Sequence, residues 1–200
     1  MRCKRSAIAG LAFVTSALAP AFGQDAAPQS FADPSQWHPI IYCDLSTVTA
    51  DNAAYNELWA QDLATNDKAY AGQDARRFQS GHAPATESHM VVRGTDKTAV
   101  ISILNTATGC TAKLVDQSAG VAVKMCPLKI AIYVGSQVTI TSGRKGCILE
   151  TIGAAQDEKA NGTFVGYDQA NKAFRIGTLI NHQPVPGCSS NIPLFDRLLP

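Results

Sequence analysis

Beyond residue 88 most of the chain alternates apolar and polar positions with period two. Ala99, Ile101 and Ile103 share one side of their segment, and Val121, Val123 and Met125 face away from Lys124. Leu128, Ile130, Ile132 and Val134 oppose Lys129 and Tyr133, while Val138 and Ile140 oppose Gln137, Thr139 and Thr141. Phe174, Ile176 and Ile180 oppose Arg175. Successive side chains of a strand point to opposite faces, so this pattern predicts half-buried strands with one face on a core. Gly94-Thr95-Asp96, Ser118-Ala119-Gly120, Gly135-Ser136, Ser142-Gly143 and Asn161-Gly162 carry turn chemistry between the runs. Asn161-Gly162-Thr163 also matches a glycosylation pattern, but the expectation is a tight hairpin turn. Short strands with regular turns predict an antiparallel sandwich or barrel.

The earlier residues follow another rhythm. Ile40-Ile41-Tyr42 reads as a short strand ending at Cys43, with order beginning at Trp37. Tyr55, Leu58, Trp59 and Leu63 recur at three- and four-residue spacing, which makes one apolar helical stripe. Asp51 or Thr49 is the expected cap and Gly72 the stop. A polar loop is expected over residues 73–87, a length that in compact domains often carries function. The fold class is therefore β-rich α+β: a sandwich or barrel with one N-terminal amphipathic helix laid across it, braced by disulfides.

The first residues change the setting. Arg2, Lys4 and Arg5 precede an uncharged apolar run over 7–22, and Ala21-Phe22-Gly23 supplies small residues for cleavage. These are the parts of a secretory signal, and the run is shorter than the ~20 residues a spanning helix needs. Residues 1–23 are expected to be a signal peptide of bacterial type and 24–36 a flexible leader. Residues 37–200 form a single β-rich domain with an extended C-terminal arm containing Pro184, Pro186, Gly187 and Pro193. The expected location is the periplasm or outside the cell. Loss of three basic residues from 17 leaves 14 against 16 acidic. A near-neutral chain lacks the basic footprint of a nucleic-acid binder, and no transmembrane segment is expected in the mature protein.

Five cysteines follow the signal: Cys43, Cys110, Cys126, Cys147 and Cys188. All are disulfide candidates in an oxidising compartment. Cys110 and Cys126 stand equally far from Ser118, so two arms of a hairpin would bring them face to face. The other three offer no unique pairing, and Cys147 is the candidate free thiol because Arg144-Lys145-Gly146 precedes it.

Catalytic signatures are sparse. The chain has no Cys-x-x-Cys, Gly-x-Ser-x-Gly or His-Glu-x-x-His. His82 and His89 lack a standard metal spacing, and His182 sits in loop chemistry. Ser189 or Ser190, His182 and Asp168 could be written as a triad, without any indication that they meet. Asp157-Glu158 reads as a solvated turn. No catalytic residue, metal or cofactor is assigned. The expectation is a non-catalytic exported binding module, an accessory subunit of an envelope complex or an inhibitor, whose partner is another envelope protein. The alternatives are a small secreted hydrolase or thiol enzyme and a host-facing structural protein.

Overall fold

The computed structural model describes residues 38–71, 82–93, 96–152, 160–168, 171 and 173–193. The expected signal peptide and leader, Trp37, the Gly72 stop, Asp157-Glu158 and the tail 194–200 lie outside these residues. Eleven strands and two helices occur among them, in two antiparallel sheets that do not close.

The six-stranded sheet is built on β6 (Val121–Val134). One edge of β6 carries two strands in succession, β4 (Lys97–Thr106) and β5 (Thr111–Asp116). The opposite edge carries β7 (Gln137–Thr151) along its whole length. β3 (Ala85–Arg93) pairs with β4, and β2 (Ile41–Asp44) pairs with β3. In the five-stranded sheet β1 (His38–Pro39) pairs with β8 (Gly162–Asp168), and β8 pairs with β9 (Ala173–Ile180). The far edge of β9 is shared by β10 (Gln183–Pro184) and β11 (Ser190–Pro193). The chain passes from one sheet to the other at Ile40, whose N–H meets the Thr163 carbonyl at 3.2 Å.

Three apolar clusters follow from the alternation. Ile101, Ile103, Leu128, Ile130, Ile132 and Ile148 of the first sheet pack with Phe174, Ile176 and Ile192 of the second. The reverse face of the first sheet, with Val91, Val100, Leu104 and Ala131, buries the stripe Tyr55, Leu58, Trp59 and Leu63. A third cluster joins Val121, Val123 and Leu149 to Ile180 and Val185.

That stripe lies on two helical segments, α1 (Ala53–Leu58) and α2 (Ala60–Tyr70), broken at Trp59. The break coincides with a side chain that enters the helical ladder: Lys129 Nζ donates to the Leu58 carbonyl at 3.0 Å and to Asp62 Oδ2 at 2.6 Å. The cap position falls on Asn52, not on the expected Asp51 or Thr49. Its buried carboxamide donates to the Asp44 and Thr47 carbonyls and accepts the Thr49 N–H, so it secures the incoming loop.

Two expected turns are corrected. Ser142-Gly143 lies inside β7, where the register shifts by one and Gly143 has φ +82°: a β-bulge, which glycine admits without a Cβ clash. Asn161-Gly162 joins no hairpin, because β7 and β8 belong to different sheets. Asn161 is buried and its Oδ1 accepts the Asn181 N–H at 2.9 Å. The loop expected over 73–87 ends earlier, since β3 begins at Ala85. Gly135-Ser136 does form the two-residue turn between β6 and β7, with Gly135 at φ +57°.

Cys110 is bonded to Cys126, with 4.3 Å between α-carbons. The hairpin turn is centred between Ser118 and Ala119, since Asp116 faces Val121 and Leu114 faces Val123. That register alone would put residue 110 opposite Pro127. A bulge at Lys113 removes one step, so Ala112 faces Lys124 and Thr111 faces Met125. One further step brings 110 against 126. Pro127 interrupts the ladder here because it has no N–H to donate, and β4 and β5 part around it. Gly109 lets the intervening turn close, for a Cβ there would lie 3.2 Å from the Pro127 ring.

Candidate functional site

Burial in the helix-facing half of β3 is not wholly apolar. Glu87 is 0% exposed, Ser102 0% and His89 4%. Period two puts Glu87 and His89 on one face of β3, and the register sets His89 opposite Ser102 of β4. His89 Nδ1 meets Glu87 Oε2 at 2.8 Å, and Ser102 Oγ donates to Glu87 Oε1. Ser102 Oγ also accepts the Trp59 indole N–H at 2.7 Å. The Tyr55 ring stacks on the His89 ring with centroids 4.3 Å apart, and Lys129 Nζ stands 4.3 Å above the Trp59 ring. The group joins α1, the Trp59 break and two central strands.

Its order decides its chemistry. In a nucleophilic triad the imidazole lies between hydroxyl and carboxylate, so that it can take the hydroxyl proton. Here the carboxylate lies between hydroxyl and imidazole, and the hydroxyl proton is already directed at Glu87. Substrate has no route to a serine with no exposed surface. The network satisfies buried polar atoms and fixes the helices on the sheet.

Cys43, Glu87 and His89 also bring three donor atoms within 4.8 Å of one another. Both Glu87 oxygens and His89 Nδ1 are already engaged, with each other and with Ser102, so the grouping does not offer three open ligands. The grouping does not fit a metal centre.

The other sequence candidates are dispersed. His82 Nδ1 lies 2.7 Å from Asp67 Oδ2, which also accepts the Ala83 N–H through its other oxygen, and so fastens α2 to the approach to β3. His182 and Asn181 form the two-residue turn between β9 and β10, both with positive φ. Asp168 faces Ala173 at the opposite end of β9, roughly 23 Å away at 3.3 Å per residue, and Ser190 faces Ile176 between them. No triad is assembled from these residues. Cys147 is not a free thiol: it is bonded to Cys188, with 5.4 Å between α-carbons, and both are buried in the third cluster. The basic residues before it do not reach this cluster, since Arg144 and Lys145 are exposed while residues 146–149 are buried.

A second polar group ties β4, β6 and β7. Glu150 accepts from Asn105 and pairs with Lys124 at 2.7 Å. Burial, with the Glu150 charge as a lesser cause, pushes the Tyr42 phenol up to about 12. Burial also raises Tyr133, with Glu57 contributing.

The accessible feature is the outer half of β7. Residues 137–145 are all exposed, and β6 is the strand's only partner among the described residues. Val138 and Ile140, expected on a core face, are each 47% exposed. Their partners across the ladder, Tyr133 and Ala131, place them on the helix side of the sheet, beyond the edge that the helices cover. Alternation alone identified the strand but could not reveal that no layer of the described residues packs on this half.

Among the described residues no helix is long and apolar enough to cross a membrane. Compared with family models, with curated proteins and with solved structures, the chain matches none.

Proposed function

We propose that the chain is an exported, non-catalytic binding module, an accessory subunit of an envelope complex that engages its partner through a strand edge. The observation that carries this reading is the outer half of β7, a β-prone edge with no ladder partner beyond β6 among the described residues and with Val138 and Ile140 exposed. Edge strands with unpaired N–H and C=O groups are templates for another strand, and natural folds usually blunt them. Two disulfides fit an oxidising compartment, where such bonds persist. Against a hydrolase stands the sealed Ser102–Glu87–His89 order, and against a thiol enzyme stands the bonded state of Cys147.

The test is site-specific photo-cross-linking in intact cells. A photoreactive residue at exposed Thr139 is expected to give one discrete heavier adduct, and one at exposed Gln183 on the other sheet is not. No adduct from position 139, or identical adducts from both positions, contradicts the reading, as does turnover of a small substrate by the pure chain.

A further inference from the structure

The 137–145 edge carries a directional pattern as well as a ladder edge that has no partner among the described residues. Residues 137–142 (Gln-Val-Thr-Ile-Thr-Ser) contain no charge and no proline, so nothing in them prevents a strand from pairing. After the Gly143 bulge come Arg144 and Lys145, exposed and without an ion-pair partner among the described residues. The apolar row Val138 and Ile140, beside Tyr133, thus runs on to Lys145 on the same face, with Arg144 next to it on the other face.

We propose that this edge receives an extended partner segment in antiparallel register, with acidic residues at its N-terminal end followed by alternating β-branched residues. The inference rests on the binding-module reading and names the partner's chemistry. An antiparallel strand brings its first residues beside Arg144 and Lys145, where carboxylates match the charge. Its later alternate side chains continue the row begun by Val138 and Ile140. A second copy fits less well. Two-fold pairing about Thr139 and Ile140 would lay Arg144 beside the Gly135 turn of the other copy, where no acid stands. Parallel in-register pairing would set Arg144 against Arg144.

The test uses the full chain and three labelled nine-residue peptides, read by fluorescence anisotropy. One has two aspartates followed by alternating valine and threonine, the second has lysines in place of the aspartates, and the third carries its aspartates at the C-terminal end. The first is expected to bind about tenfold or more tighter than the other two, the effect of two partly exposed charge pairs. The double variant Arg144→Glu/Lys145→Glu is expected to reverse the order of the first two. N-methylation of alternate peptide amides on the pairing edge is expected to abolish binding, because the ladder and not the charge alone holds the strand. Equal affinities, binding by none, or self-association that the first peptide displaces would overturn the proposal. Peptide failure alongside a persisting adduct from position 139 rejects this partner chemistry, whereas loss of the adduct rejects the module itself.

Discussion

Trp59 donates its indole N–H to Ser102 Oγ at 2.7 Å, and this bond fastens the helical layer to the middle of the six-stranded sheet. The hydroxyl in turn donates a hydrogen bond to Glu87, so it serves two partners at once. Ser102→Ala leaves a buried indole N–H and a carboxylate oxygen unmet, and is expected to cost about 2–4 kcal/mol. Urea unfolding at unchanged m-value measures it. A loss below ~1 kcal/mol would show that the bond is incidental to the packing of Trp59.

Glu87 and His89 are expected to be strongly coupled. Glu87→Ala removes the acceptor of two buried donors and should destabilise by about 3–5 kcal/mol, whereas replacing both residues with leucine should recover much of the loss. A double-mutant cycle reads the coupling, expected above ~1 kcal/mol. Additive single effects would contradict the network.

Deletion of Lys113 is expected to leave Cys110 bonded to Cys126. With the bulged residue gone, Ala112 stands directly beside Leu114 and still faces Lys124, so residue 110 still meets 126. Alkylation followed by intact mass is expected to find no free thiol from this pair. In the chain-entropy account the retained link, of sequence separation 16, contributes roughly 3 kcal/mol. Two reduced thiols in the deletion variant would show that the bulge geometry, and not the count of paired residues, sets the opposition.

This pairing also shows how far the sequence is legible. Counting from Ser118 arrives at the right opposition, yet the turn centre lies half a residue away and the Lys113 bulge makes up the difference. No local signal marks Lys113. Alternation finds the strands on either side of the core because apolar burial dictates it. It misses the start of β3, where Ala85, Thr86 and Glu87 read as loop although Glu87 is buried beside Ser88 and His89. Their burial depends on partners 13 to 30 positions away along the chain, in Ser102 and Trp59, which a single segment cannot display. The opposite error occurs at Val138 and Ile140, whose pattern is that of a core strand with no layer above it among the described residues. The loop expected over 73–87 takes in Glu87 and separates it from His89; the strand register alone sets the two on one face and makes the network.

Tyr42 makes stability fall at high pH. Its phenol is raised from 10.0 to about 12 in the folded state by burial and, secondarily, by Glu150. The unfolded chain therefore ionises first. The contribution is fully present below pH 10, declines as pH rises and is gone above about pH 12, for a total of about 2–3 kcal/mol. Urea unfolding from pH 9 to 12 is expected to show this decline in the wild type relative to Tyr42→Phe. Parallel curves would contradict the assignment of the shift to Tyr42.

The central claim is that the chain acts by being bound along β7. The most direct measurement is native mass spectrometry on protein drawn gently from its own cell envelope, wild type beside Ile140→Pro. Proline removes a ladder donor and narrows the backbone at an exposed position, so the apolar clusters should be left intact. The account predicts that the wild type travels with one larger envelope protein at fixed stoichiometry and that the folded variant travels alone. A lone wild-type monomer, or a complex that survives the substitution unchanged, would contradict it.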